Sequence, residues 1–404
     1  MTPPHTGRVI ELDLASIAPD GPDLSGSELL YVLLRWNGRP VGRLVLDESF
    51  RPDGPGFRRA ALEASSAGIF FAEVEAANPA SPFGALGGPV ESALRPSAVS
   101  VIVATRDRPS QLDRCLGAVR ALQPAPGEIV VADSASSRPD EVASVAGAHG
   151  ARVVRLPEKG LSLARNAGAR EATGAVLAFL DDDCRVDPGW LAALCRGFAD
   201  DAVAAVAGQL LPAELRTEAQ RSFLRYSHMD RRGFVPHRFH IGVAESVHWP
   251  LDVWRIGSGG NLAIRAAAFA RAGGFRRSLG LGTAARGGED LFALWSILRA
   301  GGAVVYRPDA LAWHAHHAEP GALRGVLFGY GVGHAAYLRA ARGSGARRGA
   351  VARYRASFYS DRLVRLARSL AGVSPIPPGL VLREMSGSLV GGLLGRRAER
   401  DAAS

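Results

Sequence analysis

Three carboxylates, Asp181, Asp182 and Asp183, stand side by side where an apolar run ends in "LAFLDDDCRVDPGW". Adjacent negative charges repel by roughly 1 kcal/mol per pair even in water, and several-fold more where water is scarce. Either solvent and the helix expected near Pro188 absorb that charge, or a ligand does. Comparable groups follow other apolar runs: Thr105-Arg106-Asp107-Arg108, Asp133 at the end of "EIVVAD", and Glu158-Lys159-Gly160. An arginine such as Arg106 suits bidentate phosphate contact, and Asp133 can accept hydrogen bonds. Arg108 is expected to form a local salt bridge. "GGED" sets Glu289 and Asp290 at the start of an amphipathic helix, behind two glycines that let backbone approach a ligand closely. "WHAHH" closes another apolar run, and strand alternation sends His314 and His316 to one face and His317 to the other. A His-x-His pair also suits zinc, but no His-Glu-x-x-His and no cysteine pair accompanies it.

The elements that must hold these groups are readable from Ser97 onward. Short β-branched runs, "AVSVIVAT", "EIVVAD", "RVVRL" and "AVLAFL", alternate with helical ones such as "SQLDRCLGAVRAL" and "LSLARNAGAREA". That alternation predicts a parallel sheet covered on both faces. Ligands then sit beyond the carboxyl ends of its strands, where the polar groups above fall. Before it, "ELLYVLLRWNGRPVGRLVL" places Asn37-Gly38 between two apolar runs and predicts a hairpin in a small β-rich unit, with a helix near residues 56–75. A Pro/Ser/Gly-rich stretch over 78–97 reads as a linker. No internal repeat is present.

Of 404 residues, 47% are hydrophobic and 22% charged, which is globular composition with room for two or three domains. The three cysteines are neither paired in spacing nor arranged as metal ligands, which fits a reducing compartment. Neither a signal peptide nor a membrane span is expected. The net charge of +9 rests on 48 basic residues, of which only Lys159 is lysine. Residues 339–404 carry 13 arginines against Asp361, Glu384, Glu399 and Asp401, so the whole excess lies in the tail. With neutral residues before it and no aromatic-basic interleaving, a nucleic-acid partner is not expected. In the tail, Tyr359, Leu363, Leu366 and Leu370 recur on one helical face and Arg362, Arg365 and Arg368 on another, a pattern for an anionic membrane surface or for packing on the main domain.

"SVIVATRDRPSQLDRCLGAV", "EIVVADSAS", "GLSLARNAGAREATGAVLAFLDDD", "GSGGNLAIRAAAFARAGGF" and "GGEDLFALWSILRAGGAVVYRPDALAWHAHH" follow one another as in the family 2 glycosyltransferases, which the chain resembles over roughly residues 97–320. The resemblance implies an α/β fold of the GT-A type (a Rossmann-like nucleotide-diphospho-sugar transferase fold). The expected division is a small N-terminal β-rich domain over 1–95, a transferase domain over 96–338 and a basic helical region over 339–404. It implies an inverting transfer of sugar from a nucleotide-diphosphate donor to an acceptor hydroxyl, on a saccharide, lipid-linked or small-molecule acceptor. The expected setting is cytoplasmic, peripheral on the inner face of the membrane. Asp181–Asp183 correspond to the family's DxD-type site, so that Mn²⁺ or Mg²⁺ and the diphosphate take up the carboxylate charge. Carried over by position, Asp183 is the direct metal ligand with Asp181 and with His314 or His316. Thr105, Arg106, Asp133, Arg165, Asn166, Asp181, Asp182, Gly260 and Asn261 border the nucleotide sugar. Asp290 is the general base, with Glu289 beside it. A sugar nucleotidyltransferase shares the fold class, but "ATRDRP" lacks the glycines those enzymes carry after the first strand. A catalytically inactive binding module of the same fold is the other alternative, against which the intact carboxylates argue. A formal Gly-x-Gly-x-x-Ala at 280–285 has no strand before it, and Glu158 before Lys159 precludes a Walker A loop.

Overall fold

The structure, a computed structural model, describes residues 7–17, 29–47, 54–77, 94–227 and 232–403, so most of the expected linker lies outside the described residues. At the N-terminus β1 (Gly7–Asp13), β2 (Leu29–Trp36) and β3 (Arg39–Leu46) form a three-stranded sheet followed by α1 (Gly54–Ala77). Asn37 and Gly38 turn β2 into antiparallel β3 with positive φ at both residues, as the Asn-Gly signal predicts. Strand alternation sends Leu30, Val32 and Leu34 toward Phe57 and Ala61 of α1. The opposite face, Leu29, Tyr31 and Leu33, packs on Leu211, Leu215, Leu311 and Trp313 of the main sheet.

That main sheet has nine strands. β4 (Val99–Thr105), β5 (Glu128–Ser134), β6 (Arg152–Leu156) and β7 (Val176–Asp181) are parallel in the order β6-β5-β4-β7, linked by α2 (Pro109–Arg120), α3 (Pro139–Ala148) and α4 (Leu161–Glu171). β4 is buried throughout, as a β-branched strand covered on both faces must be. Beyond β7 the parallel expectation fails. After β8 (Cys184–Val186), α5 (Trp190–Gly197), β9 (Val203–Pro212), α6 (Glu218–Tyr226) and β10 (His237–Phe239), strand β11 (Asn261–Arg265) inserts antiparallel between β7 and β9. The chain then forms α7 (Ala266–Arg271), α8 (Glu289–Arg299) and β12 (Ala303–His314), which is parallel to β9 and antiparallel to β8 and β10. The sheet is therefore mixed, within the expected α/β class. α2, α3 and α5 cover one face, while Phe269, Phe275, Trp295 and Tyr337 fill the other.

Three helices end the chain: α9 (Pro320–Gly343), α10 (Arg348–Leu370) and α11 (Pro378–Asp401). α9 runs unbroken across residues 338 and 339, so the charge change there is not a break in structure. α9 and α11 touch backbone to backbone through Gly331, Gly387 and Gly391. The amphipathic helix expected near 359–370 is present, but its faces are mixed: Tyr359 and Leu366 pack inward together with Arg362, while Leu363, Leu370 and Arg368 are exposed. Arg362 turns inward, donating from Nε and Nη2 to Glu384 at 2.9 and 3.0 Å with its guanidinium over Phe358, while Leu363 and Leu370 are 55% and 70% exposed. A buried carboxylate on α11 draws the arginine in, and the stem of the arginine covers apolar surface on the way. Among the described residues no helix is long and apolar enough to cross a membrane.

Candidate functional site

The order β6-β5-β4-β7 reverses direction at β4, and in open α/β sheets the ligand crevice lies beyond the carboxyl ends at such a point. Register brings Thr105 opposite Asp133 on one side and Ala104 opposite Asp181 on the other. Asp182 is buried under this crevice, accepting from Thr105 Oγ1 at 2.7 Å and from Arg108 Nη1 at 3.1 Å. Burial pushes its carboxyl up to about 6, against the opposing charge of Arg108. The same Arg108 nitrogen donates to Asp183 Oδ2 at 3.2 Å. Arg108 thus pairs with carboxylates more than 70 residues away in the chain rather than with a local one, and it supplies part of the counter-charge that the aspartate run demands. Arg165 supplies the rest. Fully buried, it donates from Nη2 to Asp181 Oδ1 at 2.6 Å and from Nη1 to Glu289 Oε1 at 3.0 Å.

Two carboxylate oxygens at this edge, Asp133 Oδ2 and Asp183 Oδ1, are buried without a hydrogen-bond partner. A buried polar atom left unpaired costs about 1–3 kcal/mol, more when charged, so each marks a place for a ligand. Opposite Asp183 Oδ1, His314 Nε2 stands 3.4 Å away, and His314 Nδ1 meets His316 Nδ1 at 2.8 Å. Burial, then the two neighbouring histidines, pushes the His316 imidazole well below its ordinary value, so it is neutral. In the tautomer in which His314 Nδ1–H donates to His316 Nδ1, the His314 Nε2 lone pair faces Asp183. Among the described residues no three such side chains converge as a ready-made cage. An unpartnered carboxylate oxygen and one imidazole nitrogen nevertheless fit a Mg²⁺ or Mn²⁺ ion whose remaining ligands are water and phosphate. His316 itself is turned to the Phe223 ring, 4.5 Å between centroids, and serves to orient His314. The alternation expected for the three histidines does not apply, because β12 ends at His314.

Asp290 lies at the start of α8, its Oδ1 accepting from Leu291 N at 2.8 Å and its Oδ2 from Gly259 N at 2.9 Å. Each oxygen keeps a second lone pair. Glu289 beside it is buried and engaged with Arg165; burial, then the charge of Asp290, pushes its carboxyl up. Glycine is required on both sides of this carboxylate. A Cβ on Gly260 would sit 2.5 Å from Asp181 Oδ2, and one on Gly288, whose φ is +85°, 2.5 Å from the Gly333 carbonyl oxygen of α9.

Other expected residues have scaffold duties. Both amide atoms of Asn166 pair with the Phe275 backbone, and the residue lines a groove with Arg276, Arg277 and Glu399 rather than the carboxylate edge. Asn261 is buried, donating to Gln209 O and Ala310 O and accepting from Trp190 Nε1. Arg106 is exposed next to Asp107. Sequence reasoning passed over Arg108 as local, and pointed to neither Phe223 nor Tyr330, which lie in stretches where it found no pattern or motif.

Residues 100–271 match the model of glycosyl transferase family 2. Over that segment the chain is similar to this family. A pre-mycofactocin glycosyltransferase of Mycobacterium tuberculosis is 28% identical over 223 residues, 55% of this chain and 43% of the relative. Polypeptide N-acetylgalactosaminyltransferase 3 of Taeniopygia guttata is 40% identical over 83 residues, 20% of this chain and 14% of the relative. The chain thus spans less than half the length of the curated relatives it matches. Among solved structures, a mannosyltransferase from Pyrobaculum calidifontis in complex with GDP-Man and Mn²⁺ is similar at a TM-score of 0.47 and 20% identity, covering 84% of this chain and 86% of that one. GalNAc-T7 with UDP, GalNAc and Mn²⁺ is similar at 0.39 and 18%, covering 58% and 48%. The family 2 segment contains Thr105, Asp133, Asp181–Asp183 and Arg165, while Asp290 and His314 follow it.

Proposed function

We propose that this chain transfers a glycosyl group from a nucleotide-diphosphate sugar to an acceptor hydroxyl, with inversion. One observation carries the reading: two orphaned carboxylate oxygens, Asp133 Oδ2 and Asp183 Oδ1, lie along one sheet edge whose other carboxylates are paired. In this reading Asp133 and Asp181 receive the nucleoside, while Thr105 and Arg108 hold Asp182 and Asp183 in place. Asp183 and His314 would hold a divalent cation, which would supply positive charge to the leaving diphosphate. Asp290, fixed through two backbone N–H groups, accepts the acceptor's proton as the acceptor oxygen bonds to the anomeric carbon and the diphosphate departs with its bonding electrons. Glu289 is charge balance for Arg165, not a second base.

Residues 96–338 carry this chemistry, with 1–95 and 339–404 bracing them. The tail's outward leucines and its excess arginine further support peripheral attachment to an anionic membrane, on its inner face.

The test is thermal stability of the full chain with UDP, GDP or dTDP, each with and without Mn²⁺. One nucleotide should raise the unfolding temperature in a metal-dependent way, since a ligand of the native state stabilises it. Asp183→Asn should fold and lose that increment. A variant retaining the full increment, or a wild-type chain indifferent to all three, refutes the assignment. Release of nucleoside diphosphate, rather than pyrophosphate, separates transfer of sugar from nucleotidyl transfer.

A further inference from the structure

Tyr330 is the residue this reading leaves without a role. It is 45% exposed, although Gly329, Gly331, Val332 and Gly333 around it on α9 are buried. α9 crosses the Gly287-Gly288 turn through Gly333, which a Cβ on Gly287 would approach to 3.8 Å and whose carbonyl oxygen blocks one on Gly288. That crossing ties α9 to the two residues preceding Glu289 and Asp290. Leu323 and Leu327 of the same helix pack with Phe223 of α6. Tyr330 therefore projects at the seam between the Asp290 turn and α6, its ring 6.3 Å from the ring of Phe223. Phe223 in turn touches His316, which positions His314 beside Asp183.

We propose that the Tyr330 ring is the stacking platform of the acceptor site, and that the hydroxyl to be glycosylated is carried on a ring with a flat face. An exposed aromatic ring beside the Asp290 turn offers little to a flexible aliphatic alcohol. Against a pyranose or arene face it supplies dispersion and orientation, while the ring's hydroxyl meets Asp290. Preorienting that hydroxyl is what a base fixed by backbone hydrogen bonds requires. The inference rests on Asp290 being the base.

Saturation-transfer NMR on the full chain, loaded with Mg²⁺ and whichever nucleotide binds, tests it with three probes: methyl α-D-mannopyranoside, phenol and 1,2-propanediol. At least one ring probe should take up saturation and propanediol should not. Tyr330→Leu should weaken that ring probe about tenfold, the scale of one lost aromatic contact, while Tyr330→Phe should retain it. Signal from the pyranoside marks a saccharide acceptor, and signal from phenol alone marks an aromatic one. The proposal is overturned if neither ring probe binds, if propanediol binds as well as they do, or if Tyr330→Leu binds as wild type. Failure of the nucleotide and Mn²⁺ titration would instead sink the transferase reading, whatever the ring probes do.

Discussion

One cluster of carboxylate and arginine at the N-terminal seam and another at the crevice are finished differently. Where the N-terminal unit meets the main sheet, Glu75 of α1 and Asp309 of β12 surround the fully buried Arg307, and every one of their four oxygens accepts from a guanidinium. Arg307 donates to Glu75 at 2.5 and 3.1 Å and to Asp309 at 3.0 and 2.8 Å, with Arg39 and Arg196 completing the set. At the crevice Arg108 and Arg165 reach Asp181, Asp182 and Asp183, yet Asp183 Oδ1 is left unpaired, and so is Asp133 Oδ2 nearby. The first cluster is complete without a ligand and joins two parts of the chain. The second leaves two carboxylate oxygens without a hydrogen-bond donor. Buried charge by itself distinguishes nothing; the difference lies in whether the protein closes its own hydrogen-bond inventory.

Substitutions should separate the two. Asp290→Asn cannot take a proton, and general-base catalysis contributes typically 10²- to 10⁴-fold, so turnover should drop by about that much with nucleotide affinity unchanged. Steady-state rates beside a nucleotide titration measure both, and turnover within a few-fold of wild type would move the base elsewhere. In the closed cluster the loss should be of stability. Glu75→Gln leaves Arg307 short of a charge partner in the interior and should cost about 3 kcal/mol in urea unfolding. Asp183→Asn, by contrast, relieves repulsion and should leave the ligand-free chain as stable as wild type within about 0.5 kcal/mol. Equal losses in the two variants would erase the distinction.

Acidity sharpens the contrast further. Burial pushes the Glu75 carboxyl up, but the hydrogen bond and charge of Arg307 and the charge of Arg39 outweigh it and hold the carboxyl below 4.5. The folded state therefore binds fewer protons than the unfolded one in that range. The stabilisation from Glu75 is present above about pH 4.5 and lost as pH falls through the folded value. The penalty of Glu75→Gln, taken from urea curves at several pH values, should be full at pH 7 and shrink below about 4.5; a constant penalty would mean that ionisation is not what Glu75 contributes. The smallest effect expected is at the tail. Leu389, 68% exposed on α11, should matter only on membranes, so Leu389→Asp should halve sedimentation with anionic vesicles without changing the unfolding temperature. Wild-type chain that ignores such vesicles would remove the membrane from the scheme.

Much of this was readable beforehand, for physical reasons. Strand ends loaded with Asp133, Asp181 and Thr105 could be placed because fully apolar β-branched runs announce buried parallel strands, and Asn37-Gly38 marked its hairpin because few sequences tolerate two successive positive φ angles. What could not be read depends on partners distant in sequence. Arg108 sits beside Asp107 in the chain but answers to Asp182 and Asp183, and Arg307 meets Glu75 across 232 residues. Arg362 shows the same limit from another side: periodicity set it on a solvent face, but Glu384 of another helix draws it inward beside Tyr359 and Leu366. Asn166 and Asn261 carry the amide groups that ligand sites favour, and both pair with backbone instead.

The contact between the Gly288 turn and Gly333 sets a mechanical tolerance. Main chain lies on main chain there, with α9 pressed from its other side by α11 through Gly331 and Gly387. No rotamer is available to absorb an error, so a single methyl group added at Gly288 must shift the turn bearing Asp290 or push α9 away. Misplacement of a reacting group by about 1 Å can cost 10²-fold in rate. The fit of α11 is thus a machining limit on the carboxylate proposed as base, some ninety residues before it in sequence.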